Sequence, residues 1–431
     1  MAEAALSSAT RLTAYWWDAT PRPVLPDVVP PARAEVVVVG SGYTGLVAAL
    51  HAARDGRSTV VLDAKEAGYG CSTRNGGQIS TSIKLGYAEL TRRYGAEQAA
   101  AILRTGRESL AWTGAFIEQE GIDCDFRVCG RFHAAHGPRA YEALLRALDD
   151  RAPGFEVPAE VVPRAEQRRE LGTDAYHGGV VFTRHASVDP AKYHQGLLDR
   201  ALAAGVQVVP HCAATALDRD GAVLRLRTAR GTIAARQVVV ATNGYTGALV
   251  PWLRRRVIPI GSYIIATEEL SPETMARLMP RGRIVSDTRK VVYYYRPSPD
   301  GRRILFGGRV SFGETDLRVS GRKLRAELVR LFPDLADAGV SHSWSGYVAY
   351  TFDELSHIGE RDGVFYAMGY CGSGVGMAGY LGMCLAQKLL GRQEGENGLD
   401  PIRFQTRPLY TGNPWFLAPS VAWYRWRDSR S

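Results

Sequence analysis

The chain has 431 residues, 45% apolar and 23% charged, with a formal charge of +9; this is the composition of ordinary soluble protein, long enough for two interlocked domains. No apolar run approaches the roughly 20 residues that cross a bilayer, and the first residues show no charged start before a long apolar stretch, which gives the expectation of a cytoplasmic protein. The six cysteines (Cys71, Cys124, Cys129, Cys212, Cys371, Cys384) form no C-x-x-C pair or metal spacing, and the tightest basic cluster is only Arg254, Arg255 and Arg256, so neither a metal nor a nucleic acid is expected as a partner.

After a Pro-punctuated arm over 1–35, the run EVVVVGSGYTGLVAALHAARDGRSTVVLDA reads as a buried strand, glycine turn, small-residue helix and second strand. Helical spacing follows over 89–120, one or two amphipathic helices with Gly121 as a stop. Asp189 and Pro190 fit the cap and first turn of a helix that ends at Gly205. Strand-like VQVVP and TIAARQVVVATNG come next. From Ile258 to Val310 the pattern turns beta-rich, in GSYIIATEEL and KVVYYYRPSPDGRRILFGGRV, with Ser298-Pro299-Asp300-Gly301 as a hairpin turn. A helix is expected near RKLRAELVRLFP, and GVFYAMGYCGSGVGMAGYLGMCLAQKLLG again reads strand, glycine loop, helix.

These elements imply an α/β protein with a discontinuous Rossmann-like nucleotide-binding domain (36–95, 180–255 and 346–392). A second α+β domain (96–179 and 256–345) holds a mostly antiparallel sheet, and 393–431 form a tail.

Gly40-Ser41-Gly42-Tyr43-Thr44-Gly45 matches G-x-G-x-x-G directly after a Val-rich strand, where glycines form a tight turn and let a pyrophosphate approach the helix N-terminus. Asp63 follows about 20 residues on, the spacing at which a carboxylate accepts hydrogen bonds from adenosine ribose. Both features suit NAD as well as FAD.

GSGYTGL, GYGCSTRNGGQIS, SYIIATEEL with RKVVYYYRPSPDGRRILFGGR, and YTFDELSHIGERDGVFYAMGYCGSGVGMAGYLG together span nearly the whole chain. They resemble the D-amino-acid oxidase-like superfamily of FAD-dependent oxidoreductases, and within it the gamma-glutamylputrescine oxidase-like proteins. The resemblance implies an FAD domain of D-amino-acid-oxidase type. It sets Ser72, Arg74, Asn75, Gly76 and Gly77, with Gln78 after them, along the flavin; Ala214 at the adenine; and Thr242 and Gly244 in a loop crossing the nucleotide. Arg74 can neutralise diphosphate charge, and the glycines permit close backbone approach.

The second glycine loop, with Gly369, Gly372, Ser373, Gly374, Val375, Gly376 and Met377, also precedes a helix whose N–H groups can face the flavin. Two such loops favour FAD over NAD. Some relatives tether flavin through a cysteine just before the Y-T segment. Here Val348 and Ala349 precede Tyr350 and Thr351, so noncovalent FAD is expected. Cys371 reads as a small buried side chain, not a tether.

Flavin oxidation of an amine needs little acid–base machinery, since hydride leaves the alpha carbon of the neutral amine for flavin N5 and the imine hydrolyses afterwards. Candidate wall residues are Tyr263, Tyr293, Tyr295 and Tyr370, of which Tyr263 and Tyr370 are singled out as catalytic because they lie beside family motifs. Alternation places Tyr293 and Tyr295 on one face, opposite Tyr294. His357 and Trp344 read as ordinary packed residues, and the aromatic, basic LAPSVAWYRWRDS as docking on the protein's own surface.

The resulting expectation is oxidation of a polyamine or gamma-glutamyl-polyamine, with oxygen or another acceptor taking the electrons. D-amino acids or sarcosine and glycine are the alternative substrates. A non-catalytic dinucleotide-binding flavoprotein and an NAD-linked dehydrogenase are the readings from other classes.

Overall fold

A computed structural model describes residues 6–155, 157–308, 316–417, 419, 420 and 423. The last residues expected in the beta-rich stretch, Arg309 and Val310, and most of the aromatic tail lie outside them.

The first sheet has eight strands. Its centre is parallel: Arg33–Val39 lies between Thr59–Leu62 and Gly231–Val240, the former flanked by Gln207–Val209 and the latter by Val364–Met368. Val36 and Val38 pack into one core and Val37 and Val39 into another on the opposite face. A parallel strand covered on both faces needs apolar residues at every position, which explains the unbroken valine run. Full burial of each such valine stabilises by roughly 1.5–3 kcal/mol relative to exposure.

Helix Tyr43–Arg54 covers one face with Pro190–Ala203 and Gly374–Leu389. A Cβ on Gly382 would stand 2.7 Å from the Thr44 carbonyl oxygen, so a glycine is what allows the two glycine-turn helices to cross this closely. Asp189 caps its helix as the sequence implies, Oδ1 accepting from the N–H groups of Ala191 (2.8 Å) and Lys192 (3.0 Å). The stretch before Gly121 forms two helices, Tyr87–Tyr94 and Ala96–Gln119, separated by Gly95 at φ +85.

The second eight-stranded sheet is antiparallel except where Ile284–Asp287 runs parallel to Arg131–Ala134. It contains the expected hairpin, Tyr294–Pro297 and Ile304–Gly308, turning at Gly301 (φ +72). The strand starts at Tyr294 and not at Lys290, because Asp287 Oδ1 accepts the N–H groups of Tyr293 (3.1 Å) and Arg289 (3.3 Å) and closes residues 288–293 into a loop. Helix Leu317–Leu331, capped by Asp316, covers one face of this sheet.

Candidate active site

The first glycine turn forms where Arg33–Val39 hands over to Tyr43–Arg54. Gly40 sits at φ +105, where a Cβ would stand 2.9 Å from the Ala241 oxygen, and a Cβ on Gly45 would stand 1.9 Å from the Gly40 oxygen. Strand, turn and helix thus approach too closely for any side chain. The Ser41 N–H and hydroxyl both donate to Asp63 Oδ2, at 3.0 and 2.6 Å, and the Lys65 N–H donates to Oδ1 at 3.0 Å. This fixes the Asp63 carboxylate beside the turn. Burial, aided by the Arg22 charge, pushes the His194 pKa down to about 3, so a neutral ring donates from Nε2 to the Ser41 oxygen at 2.7 Å.

The second turn leaves Val364–Met368 through Gly369 (φ +81), Cys371 (φ +52) and Gly372 (φ +91) and enters Gly374–Leu389. Neither this helix nor Tyr43–Arg54 has a side-chain N-cap. The Tyr43 N–H donates instead to Ser72 Oγ at 3.0 Å, and the positive ends of the two helix dipoles face what lies between them. Thr44 Oγ1 and the Tyr370 hydroxyl are 2.5 Å apart, and that hydroxyl donates to the Ala367 oxygen at 2.8 Å. Asn243, at φ +43, accepts the Gly369 N–H on Oδ1 at 2.9 Å.

Between the turns runs a cleft of about 500 Å³. Of the residues named from sequence, Gly40, Ser41, Gly42, Thr44, Asp63, Ser72, Asn75, Ala214, Thr242, Tyr370, Gly372, Gly374 and Val375 line it. Tyr43, Asn243, Tyr245, Tyr347 and Val348 line it too. Tyr43 and Val348 stand within the segments named from sequence, and the only signal for Asn243, Tyr245 and Tyr347 was their adjacency to motif residues.

The remaining named residues stand behind the lining. Gly45 and Gly244 are packing glycines, a Cβ on Gly244 meeting the Tyr347 oxygen at 2.8 Å. Met377 is fully buried, the Ser373 and Gly376 carbonyl oxygens accept the hydroxyls of Ser82 (3.2 Å) and Thr113 (3.2 Å), and Gly369 carries the turn. A Cβ on Gly76 would stand 3.0 Å from the Tyr294 ring and one on Gly77 2.1 Å from the Val188 oxygen, so both glycines let the loop press against its neighbours. Gln78 Nε2 donates to the oxygens of Val285 (3.3 Å) and Tyr295 (3.2 Å). The Arg74 guanidinium is not in the lining: it stacks between the rings of Trp17 (4.6 Å) and Tyr69 (4.3 Å), and its Nε donates to the Tyr69 oxygen at 2.8 Å.

Tyr263 is not brought to the cleft either. It is 2% exposed and shares a core with Tyr295, Phe306, Val285 and Phe132 beneath Leu317–Leu331. Tyr293 packs on Phe306 as Tyr295 does, so the alternation holds, but their shared face is the one under the helix. The opposite face carries Ser262, Tyr294, Ser286 and His133. Ser286 is in register with both Tyr294 and His133. The Tyr294 hydroxyl lies 2.9 Å from Ser262 Oγ, and His133 Nδ1 lies 2.9 Å from Ser286 Oγ. Burial, with the Arg131 charge second, pushes the His133 pKa down to about 3 and leaves the ring neutral. This polar row meets the loop that lines the cleft at the Gly76–Tyr294 approach.

Two cysteines line the cleft, Cys71 and Cys212. The Cys71 thiol donates to the Tyr347 oxygen at 2.5 Å, and burial pushes its pKa up to about 12. Cys371 is 3% exposed and donates to the Gly369 oxygen at 3.1 Å. His357 stacks on Phe404 with centroids 4.1 Å apart and pairs with Asp353 at 3.1 Å. Lys84, from the segment after the Gln78 strand, donates to the Tyr350 hydroxyl at 2.9 Å, and its Nζ would lie 3.4 Å from a Cβ on Gly372. Among the described residues no group of His, Cys, Asp and Glu is arranged to hold a metal ion, and no helix is long and apolar enough to cross a membrane.

Two glycine turns facing one elongated cleft form a cradle for a dinucleotide. Residues 35–388 match the model of the family described as FAD dependent oxidoreductase. The chain belongs to the FAD dependent oxidoreductase family. It is 33% identical to "Probable oxidoreductase OrdL" of Rhizobium meliloti, over 96% of this chain and 97% of that one. It is 31% identical to gamma-glutamylputrescine oxidoreductase of Escherichia coli, over 91% and 92% of the two chains. Glycine oxidase of Geobacillus kaustophilus has the same fold, with a TM-score of 0.75 at 20% identity over 88% of this chain and 99% of that one.

The residues fit the family's cofactor. Glycines keep side chains out of the space beside both helix N-termini, where an anionic diphosphate or an electron-rich ring edge is stabilised. Asp63 is a ready acceptor at the end of the second strand.

Proposed function

We propose that this FAD-dependent oxidoreductase oxidises the C–N bond of an amine, of polyamine or gamma-glutamyl-polyamine type, with FAD held noncovalently. The observation that carries the reading is the cleft joining two glycine turns, whose lining loop continues from Asn75 into Gly76, where it meets Tyr294 of the polar row of Ser262, Tyr294, Ser286 and His133. The relative named gamma-glutamylputrescine oxidoreductase supports the substrate class.

FAD held in the cleft would supply a two-electron acceptor for the hydride on the carbon bearing nitrogen, and the imine so formed would be hydrolysed by water to carbonyl and free amine. The protein's share is to bind and orient. Ser41 holds Asp63 where adenosine hydroxyls can reach its carboxylate. The positive ends of the two helix dipoles receive negative charge. Ser72 and Asn75 set the loop between cofactor and sheet, and the Tyr294 ring and hydroxyl offer an amine an apolar face with a polar edge. With its pKa near 3, His133 adds no positive charge to that wall.

Two observations support noncovalent attachment. Val348 lines the cleft where some relatives carry the tethering residue, and the Cys71 thiol is committed to the Tyr347 oxygen and held protonated by burial.

The test is product analysis. Purified protein is incubated with putrescine, longer polyamines, gamma-glutamylputrescine, D-amino acids and N-methylglycine, and aldehyde and released amine are quantified. Aldehyde from polyamines or their gamma-glutamyl derivatives is the expected result. Products from amino acids alone would contradict the substrate class.

A further inference from the structure

Three tryptophans from two distant segments grip the loop that carries Ser72 and Asn75. Trp16 Nε1 donates to the Asn75 oxygen at 2.8 Å, Trp344 Nε1 to the Arg74 oxygen at 2.8 Å, and Trp17 Nε1 to Thr73 Oγ1 at 3.0 Å. An indole nitrogen only donates, so a buried indole requires an acceptor, and three successive residues of one loop supply it. Trp16 and Trp344 are 0% and 1% exposed.

Other bonds hold the loop as well: the Tyr43 N–H donates to Ser72 Oγ (3.0 Å), Thr73 Oγ1 to the Gly68 oxygen (2.7 Å), Arg74 Nε to the Tyr69 oxygen (2.8 Å) and the Cys71 thiol to the Tyr347 oxygen (2.5 Å). Its own bonds are a short turn, Cys71–Thr73, and the Asn75 amide, whose Nδ2 donates to the oxygens of Cys71 (3.0 Å) and Ser72 (3.1 Å). Its front, Ser72 and Asn75, lines the cleft, and the indoles hold its back.

The arm that carries Trp16 and Trp17 is itself anchored to the strand Val340–Tyr350. The Arg11 N–H donates to the Ser341 oxygen and the Ser343 N–H to the Arg11 oxygen, both at 2.9 Å, and Asp18 Oδ2 lies 2.9 Å from His342 Nε2. That strand also brings Tyr347 and Val348 to the cleft. Arm, strand and loop therefore form one continuous support.

We propose that Trp16 and Trp17 of the N-terminal arm, with Trp344, are positioning residues for the cofactor, holding residues 72–75 in the place from which they meet FAD. This rests on the reading that the cleft holds FAD. Losing an indole N–H leaves a buried acceptor without its donor and frees the loop on the side away from the cofactor.

Trp16→Phe and Trp17→Phe keep a ring and remove the donor; Trp112→Phe, on Ala96–Gln119 and outside the cleft, is the control. FAD released on dilution of each full-length holoprotein is read by flavin fluorescence, and the visible spectrum of the bound flavin is recorded alongside. Each arm variant is expected to weaken FAD binding about tenfold and to shift the flavin bands, with the control unchanged. Should Trp16→Phe not fold, Thr73→Val removes the acceptor of Trp17 without touching the arm, together with the bond that Thr73 Oγ1 donates to the Gly68 oxygen (2.7 Å), and Trp17→Phe combined with Thr73→Val is expected to weaken binding no further than Thr73→Val alone. Wild-type affinity and spectrum in both Trp17→Phe and Thr73→Val overturn the proposal. A wild-type protein that binds no FAD overturns the cofactor reading itself, and this proposal with it.

Discussion

The two eight-stranded sheets serve the cleft by different means. The first delivers backbone: its strands end in glycine turns at Gly40 and Gly369, where a Cβ would run into Ala241 and Thr351, so the missing Cβ atoms let each turn pack against its neighbours. The second delivers side chains, and its two faces have opposite fates. One is a closed core with Tyr263 and Tyr295 under a helix, while the other carries Ile264, Ala266 and Leu305 packed with Trp16 and Trp344 and, beside them, the row Ser262, Tyr294, Ser286 and His133, of which Tyr294 meets the loop beside the cleft. A backbone site is thus fixed by which residue is absent, and a side-chain site by which face turns inward.

The largest effect is expected on the backbone side. Gly45→Ala places a methyl 1.9 Å from the Gly40 oxygen, a contact that only movement of the turn relieves. FAD affinity is expected to fall by about a hundredfold, ~3 kcal/mol, with the flavin-to-protein absorbance ratio as the measure. Retention of flavin at the wild-type ratio would break the claim that the first sheet works through bare backbone.

Acid stability compares the two regions directly. Burial holds both His194, under the first turn, and His133, on the polar row, at pKa values near 3, against 6.5 in the unfolded chain. A folded pKa below the unfolded one contributes stability that is complete above about pH 6.5 and lost as pH falls toward 3. Each ring accounts for about 1.4 kcal/mol per pH unit in that window. Chemical denaturation between pH 7 and 5 is expected to show this loss. His194→Gln and His133→Gln are each expected to flatten it by one ring's share.

Adjacent tyrosines separate the faces of the second sheet. Tyr294→Phe removes a hydroxyl from the polar row and is expected to raise KM for the amine about tenfold, with little change in Tm. Tyr295→Phe loses only the 3.3 Å bond to the Tyr176 hydroxyl in the closed core. It is expected to cost about 1 kcal/mol of stability in denaturant titration and to leave KM alone. The reverse pattern would place the substrate wall under the helix.

This contrast also explains how far the sequence could be read. The valine run, G-x-G-x-x-G, Asp63, the Asp189 cap and the second glycine loop all state a local geometry, and each is found in the element it implied. Alternation correctly separated Tyr293 and Tyr295 from Tyr294, but no local signal says which face of a strand a distant helix will cover. Tyr263 and Tyr295 therefore lie on the face under the helix, and Tyr294, on the other face, was not among the candidates. Arg74 shows the same limit: its charge suited a diphosphate, yet Trp17, 57 positions earlier in the chain, provides the ring on which it stacks. The contributions of Tyr245, Tyr347 and the tryptophan arm are likewise long-range contacts that neither spacing nor periodicity encodes.

Anaerobic absorbance titration of the purified holoprotein with the amine panel tests the central claim most directly. The account predicts a flavin spectrum that bleaches on addition of a polyamine or its gamma-glutamyl derivative and recovers once an electron acceptor is admitted. A bound flavin that stays oxidised with every amine would contradict it.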